Sequence, residues 1–321
     1  MYQAWSVQTH DKKPVLLDMP FNSIKSGEVQ VDVTSTGLNF ADLLLIRGTY
    51  QDTPPLPFTL GLEFSGIVTQ VAPDVISFKI GDRVAGYTGH GGLATHITAP
   101  ADRCVKVPDT VSLVDAAGML ITYGTSHLAL IDRAILKSGE RLLVSGASGG
   151  VGLTAVEIGV ALGAEVIAVA RGAEKCATAA KAGAHHTIDS DAPDLIHVIR
   201  AIGRCDVVYD AVGGDFFTAA LRCVAPEARI LTIGFASGDV PQIKANHVMV
   251  KNVSVMGVYW GGVLTYAPEK VFASIADVFQ MVADGKLNPA PHHLVPFADA
   301  MDGLDLLRDR KSTGKVVVTQ S

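Results

Sequence analysis

Two rhythms of apolar and polar positions divide the chain. In the first third, short β-type runs (Val29 to Val33, Gly66 to Val71, Arg83 to Gly86) are broken by glycine and proline. Pro54-Pro55 and Pro57 mark an extended loop, because proline fixes φ and restricts the residue before it. This predicts a mostly β region. From Arg141 the pattern changes. Leu142-Leu143-Val144 precedes a helix running to Leu162, with Gly163 placed to stop it. Val166 to Val169 precedes a helix over Ala173 to Ala182, closed by Gly183. Thr187-Ile188 leads to a helix from Asp194 to Ile202, and Val207 to Tyr209 to one from Phe216 to Val224. Arg229 to Ile233 follows as a further strand. Strands and helices alternating at this spacing predict an α/β fold, a parallel sheet doubly wound by helices on both faces. The tail reads as amphipathic helices over Pro268 to Met281 and Ala298 to Leu307, closed by a strand from Lys315 to Thr319. Such a tail can pack back onto the first region as a discontinuous domain.

Length and charge narrow the class. At 321 residues the chain exceeds most single cores, so two domains are expected. The net charge is −6, from 26 basic and 32 acidic residues, and no basic run interrupts it. That argues against nucleic-acid or anionic-membrane partners. Cys104, Cys176, Cys205 and Cys223 form no C-x-x-C pair, so neither a disulfide framework nor a thiolate zinc knot is expected, and the pattern suits a reducing cytoplasm. The N-terminus has no apolar signal core, and no stretch reaches the roughly 18 apolar residues of a membrane span. A soluble, cytoplasmic protein is the expectation.

The segment Ser145-Gly146-Ala147-Ser148-Gly149-Gly150-Val151-Gly152 lies between a predicted strand and a predicted helix. Glycines there let the chain turn sharply and bring backbone N–H groups against a pyrophosphate, at a helix N-terminus that favours anions. Ala147 stands where G-x-G-x-x-G has its first glycine. The repeating β/α units around the loop favour a dinucleotide site over an unliganded glycine turn. Cofactor choice is read about 20 residues further on, where an acid would hold a ribose 2′-hydroxyl. Here stand Ala170-Arg171-Gly172, with Lys175 behind. Arg171 can fork onto a 2′-phosphate and Lys175 adds charge, so NADPH is expected over NADH. The competing account is that both cations decorate a solvated helix start.

Several strings extend this. Gly37-Leu38-Asn39-Phe40-Ala41-Asp42, Arg47-Gly48-Thr49-Tyr50, Gly61-Leu62-Glu63-Phe64-Ser65-Gly66, Gly257-Val258-Tyr259-Trp260-Gly261 and Thr313-Gly314-Lys315-Val316-Val317-Val318 resemble the zinc-free branch of the medium-chain dehydrogenase/reductase superfamily. That branch includes NADPH:quinone oxidoreductases, ζ-crystallin and related enone and acryloyl-CoA reductases. The resemblance spans essentially the whole chain. It implies a GroES-like, mostly β catalytic domain from 1–121 and 262–321, and a Rossmann-type NADPH-binding domain over 122–261. In the zinc-binding branch a cysteine and a histidine would stand where this chain has Asn39 and Leu62, neither a credible zinc ligand. The third ligand would fall near Ile121, and Gly118 to Thr125 contains no cysteine, histidine or acid. The adjacent pairs His185-His186 and His292-His293 point to opposite faces of an extended chain. No metal is expected.

Without a Lewis acid, alcohol oxidation loses its main device. A quinone or an α,β-unsaturated carbonyl delocalises incoming charge itself, and its oxygen then needs only hydrogen-bond donors and a proton. The resemblance places Asn39 and Tyr50 as the candidate catalytic donors. Asn39 followed by Asp42 is equally an ordinary helix N-terminus, and Tyr50 is equally a loop aromatic packed on the proline stretch. By the same resemblance Thr125 lies near the nicotinamide, Gly234-Phe235 closes over the cofactor, and Val258 and Tyr259, with Trp260, cross back towards the first domain. Ser190 stands where the family often has a tyrosine beside the adenosine phosphate. The expectation is a metal-free NADPH-dependent reductase of small quinones or enones. Alternatives are an enoyl- or acryloyl-thioester reductase, or a weakly active NADPH-binding protein with a structural or RNA-binding role. The branch commonly dimerises by edge strands of the cofactor domain, which implies a homodimer through Asn252 to Met256.

Overall fold

A computed structural model of the chain describes residues 1–289 and 293–320; of the two histidine pairs, His292 lies outside the described residues. The chain forms two compact units, Met1–Ile121 with Pro291–Ser321, and Thr122–Ala290. In chain order the first carries β1 (Tyr2–Val7), β2 (Val15–Met19), β3 (Glu28–Leu38), α1 (Phe40–Arg47), β4 (Phe58–Thr59), β5 (Glu63–Val71), β6 (Arg83–Tyr87), β7 (His96–Pro100) and β8 (Cys104–Lys106). Helix α2 (Leu113–His127) contains the division between the units. The second unit continues with β9 (Arg141–Ser145), α3 (Gly150–Ala161), β10 (Glu165–Ala170), α4 (Gly172–Lys181), β11 (His186–Asp189), α5 (Leu195–Ile202), β12 (Cys205–Asp210), α6 (Gly214–Cys223) and β13 (Val224–Thr232). It closes with α7 (Ala245–Lys251), β14 (Ser254–Gly257), α8 (Trp260–Tyr266) and α9 (Pro268–Ala283). The chain then returns to the first unit with β15 (His293–Pro296), α10 (Ala300–Arg308) and β16 (Val316–Thr319).

The second unit is a six-stranded sheet in the order β11-β10-β9-β12-β13-β14, parallel throughout. Consecutive residues Val166 to Ala170 and Val207 to Asp210 are all buried. Successive side chains on a strand point to opposite faces, so both faces of this sheet are covered. The strand order reverses between β9 and β12, and open α/β sheets bind ligands at such a switch, beyond the carboxyl ends of the strands. The helices end where the glycines predict: Gly163 and Gly183 both have positive φ, at 79° and 98°.

In the first unit a sheet runs β15-β16-β3-β5-β6-β8, with β7 also on β3. The long β3 pairs antiparallel with β16, Val316 opposite Leu38, and with β5, Glu63 opposite Gly37. That register brings Lys315, Asn39 and Glu63 together from three distant parts of the sequence.

One boundary differs from the expectation. The segment 262–289, assigned by resemblance to the first domain, belongs to the second unit. The apolar face of α9 is buried there through Val271, Ile275, Val278 and Phe279, and Ser274 Oγ hydrogen-bonds His127 Nδ1 at 2.9 Å. Among the described residues no helix is long and apolar enough to cross a membrane.

Candidate functional site

The glycine loop joins β9 to α3 at the sheet's switch point. Gly146 takes φ +60°, and its carbonyl accepts the Gly149 N–H at 2.9 Å, which folds the loop onto itself. Gly152 admits no side chain: a Cβ there would stand 2.2 Å from the Gly146 oxygen. Gly149 caps α3 in extended conformation, so the N–H groups of Gly150, Val151 and Gly152 open the helix without helical acceptors. Ala147 and Ser148 are buried, and the Ala147 N–H bonds the Val169 carbonyl at 3.1 Å, tying the loop to β10. N–H groups so arranged can receive an anion such as a pyrophosphate in the cradle they form.

The other expected cofactor residues, Thr125 excepted, also follow carboxyl ends of parallel strands. Arg171 follows β10 and caps α4, with Lys175 one turn on. Arg171 Nε lies 3.8 Å from Asp191 Oδ1, with the two side chains 62% and 69% exposed. So exposed a pair contributes little and gives way readily to a stronger anion. Gly234 and Phe235 follow β13, and this loop is zipped to the one after β12 by the Ala236 and Ser237 N–H groups on the Ala211 and Val212 carbonyls, 3.1 and 3.0 Å. Val258, whose N–H bonds the Thr232 carbonyl at 3.0 Å, is buried, and Tyr259 follows it at the start of α8. Thr125 is buried on α2.

In the first unit, Asn39, Asp42, Glu63 and Lys315 form a buried polar cluster. Lys315 Nζ donates to Asn39 Oδ1 at 2.5 Å and to Glu63 Oε1 at 2.6 Å. Asn39 Nδ2 donates to Glu63 Oε1 at 2.9 Å and to the Gly37 carbonyl at 3.2 Å. Glu63 Oε2 accepts the Ile121 N–H at 2.9 Å. Both amide hydrogens of Asn39 are therefore engaged inside the protein, and the carboxamide expected to face a substrate oxygen is turned inward. Its helix-terminus role is realised: the Asn39 N–H donates to Asp42 Oδ2 at 2.8 Å, and Asp42 Oδ1 accepts the Gly61 N–H at 3.2 Å. Burial pushes Asp42 up to about 7, Glu63 adding to the rise while the two N–H groups and Lys315 oppose it. Leu62 is buried in the core. Among the described residues no three or more His, Cys, Asp or Glu come together as a metal cluster.

Tyr50 is half-buried beyond α1, and its carbonyl anchors a turn by accepting from Thr53 N and Oγ1 at 3.2 and 2.7 Å. Its side chain hydrogen-bonds Tyr87, the last residue of β6. Burial, then the neighbouring Tyr50 and Asp52, push the Tyr87 hydroxyl far above the usual tyrosine range. Tyr87 thus keeps its proton across all ordinary pH.

Three groups went unassigned on the sequence. The Lys315–Glu63 pair carried a signal, a single charge inside each of the apolar strings Gly-Leu-Glu-Phe and Gly-Lys-Val-Val, because a buried charge requires a partner. Tyr209-Asp210, closing an apolar strand, was a similar sign. Buried Asp210 Oδ1 accepts from Ser145 Oγ at 2.7 Å and from the Val212 and Gly213 N–H groups at 2.9 and 3.0 Å, stapling the ends of β9 and β12. Ser126, buried on α2 with its Oγ 2.9 Å from Tyr209 Oη, gave no signal of its own.

Comparison with known proteins finds two family matches along the chain. Residues 25–109 match the family described as Alcohol dehydrogenase GroES-like domain, and residues 150–278 the family described as Zinc-binding dehydrogenase. The chain is 37% identical over 319 residues to the quinone oxidoreductase-like protein 2 homolog of Nematostella vectensis, covering 95% of this chain and 86% of that protein. Among solved structures it resembles Escherichia coli quinone oxidoreductase complexed with NADPH, with a TM-score of 0.90, 26% identity and 99% of each chain covered. It also resembles CurK enoyl reductase, with a TM-score of 0.89, 26% identity and 99% of each chain covered.

Proposed function

The chain belongs to the medium-chain dehydrogenase/reductase superfamily, among its quinone oxidoreductase-like proteins, and we propose that it is an NADPH-dependent, metal-free reductase of quinones or α,β-unsaturated carbonyls. The observation that carries this reading is the Lys315 ammonium, 2.5 and 2.6 Å from Asn39 Oδ1 and Glu63 Oε1. It places a covalently attached cation beside Asn39 and Leu62, the positions where by the resemblance zinc-binding members would carry ligands. An asparagine already saturated by hydrogen bonds and a buried leucine do not fit zinc. An acceptor that delocalises charge by itself suits a site of that kind.

The second unit fits the cofactor. The N–H groups at the start of α3 would hold the pyrophosphate, and Arg171 would exchange the single, solvent-screened charge of Asp191 for a doubly charged 2′-phosphate, with Lys175 in support. Bound NADPH supplies the hydride. In the first unit Tyr50 is the group we assign as donor to the substrate oxygen, its own oxygen oriented by the protonated Tyr87. Asn39 is reassigned as a scaffold residue that fixes α1 and the Lys315–Glu63 pair. A homodimer through β14, the outermost strand of its sheet, completes the proposal.

A second reading, reduction of an enoyl thioester, is the same chemistry on a larger carrier and is favoured by the likeness to CurK enoyl reductase. The test follows NADPH absorbance with a quinone, a simple enone, an enoyl thioester and an alcohol with NADP⁺. Turnover of quinone or enone supports the proposal, and a marked preference for the thioester selects the second reading. Turnover of the alcohol alone rejects both.

A further inference from the structure

Beneath the glycine loop, three buried hydroxyl side chains meet. Ser126 on α2, Thr154 on α3 and Tyr209 on β12 are all buried. Ser126 Oγ lies 2.9 Å from Tyr209 Oη, 2.8 Å from Thr154 Oγ1 and 2.9 Å from the Val151 carbonyl oxygen. Thr154 Oγ1 lies 3.0 Å from both the Thr122 and the Val151 carbonyl oxygens.

The protons in this cluster run one way. Tyr209 has one hydroxyl proton, burial holds it there, and among the described residues Ser126 is its partner. Tyr209 therefore donates to Ser126. Ser126 passes its own proton to the Val151 carbonyl or to Thr154, and Thr154 must then end on a backbone carbonyl. Every hydroxyl proton is accounted for, and the chain terminates on the backbone of the two helices. A fully satisfied buried network of this kind fixes geometry more than it adds stability.

What it fixes is the peptide that follows Val151. A peptide group is planar, so the direction of the Val151 carbonyl sets the opposite direction of the Gly152 N–H. Gly152 is the residue packed against the Gly146 carbonyl, in the first turn of α3, where N–H groups have no helical acceptors. We propose that Tyr209 is a positioning residue for the cofactor: through Ser126 it holds the Val151–Gly152 peptide so that the Gly152 N–H points into the pyrophosphate cradle. The inference rests on the NADPH reading above and adds to it a residue two layers away from the ligand.

The test compares Kd values for NADPH and for adenosine 2′-monophosphate, a fragment that carries the 2′-phosphate but no pyrophosphate. In Tyr209→Phe the Kd for NADPH rises roughly 5-fold or more, as expected for one misdirected hydrogen bond to a charged group, while the Kd for the fragment is unchanged. Because the single variant leaves Ser126 short of a donor, a triple variant Tyr209→Phe/Ser126→Ala/Thr154→Val serves as control. It replaces the network by apolar groups of similar shape, keeps its thermal stability close to wild type, and shows the same selective loss. Unchanged NADPH affinity in both variants overturns the inference, and so does an equal weakening of both ligands, the mark of general loosening. A wild-type protein that binds the fragment but not NADPH, or neither, overturns the cofactor reading and this inference with it.

Discussion

Replacing Lys315 by methionine removes one charge from a buried polar cluster. Glu63 and Asp42 are both 0% exposed, and Lys315 is 6% exposed. In the variant, Glu63 keeps the Asn39 amide and the Ile121 N–H but loses the ammonium 2.6 Å away. Asn39 Oδ1 loses its donor at 2.5 Å. Removing one partner of a buried ion pair costs roughly 3–5 kcal/mol, a large share of a total stability of about 5–15 kcal/mol. At about 2–4 °C per kcal/mol for a unit of this size, Tm falls by roughly 6–20 °C. The loss depends on pH in a definite sense. Lys315 opposes the rise of Asp42, so without it Asp42 holds its proton to higher pH and the gap between variant and wild type narrows from pH 8 to pH 5. Adding Glu63→Gln to Lys315→Met removes the uncompensated charge and returns a substantial part of the loss, a coupling measurable by urea denaturation of the four proteins of the cycle. A Lys315→Met protein within 1 kcal/mol of wild type at pH 8, or one whose loss Glu63→Gln does not relieve, refutes the description of this cluster.

Three further outcomes are expected. Gly152→Ala abolishes measurable NADPH binding by fluorescence titration, because the new Cβ would stand 2.2 Å from the Gly146 oxygen; retained affinity would show that the loop does not form the cradle. Arg171→Ala lowers the preference for NADPH over NADH by roughly 10-fold or more, the scale of one charge-assisted contact, and an unchanged ratio of the two Kd values places the selectivity elsewhere. Burial also pushes Glu157 up to about 7, with only the Tyr123 hydroxyl opposing it. Its folded pKa is raised, so the folded state holds a proton that the unfolded chain releases above about pH 4. Its contribution to stability is greatest at the acid end and falls between about pH 4 and 7, at up to about 1.4 kcal/mol per pH unit. Glu157→Gln accordingly gains on wild type at pH 8 relative to pH 5 in urea titrations, and an equal difference at both pH values contradicts the assignment.

How much of this was legible in the sequence follows from how local each determinant is. The β/α alternation from Arg141 onward could be read because each strand is a short apolar run and helices such as α3 and α4 end near a glycine. The cradle could be read because all its parts lie within eight consecutive residues. The placement of α9 could not. Its apolar face announces that Val271, Ile275 and Phe279 pack against something, but the partner is set by long-range contacts such as Ser274 with His127. The Lys315–Glu63 pair joins residues 252 positions apart, brought together by the pairing of β16 and β5 with β3. Asn39 illustrates the same limit from the other side. The family resemblance implies a donor to substrate there, and only the register of three strands reveals that its amide hydrogens are already engaged. Arg171 lies between these cases: its place after β10 was readable, but its exposed pairing with Asp191 was not.

Metal-free reduction of a conjugated acceptor is read from the rate of NADPH oxidation with a quinone before and after exhaustive removal of divalent metal by a chelator. The predicted result is an unchanged kcat/KM, with no gain on adding zinc. Loss of turnover on chelation, restored by zinc, would contradict the account.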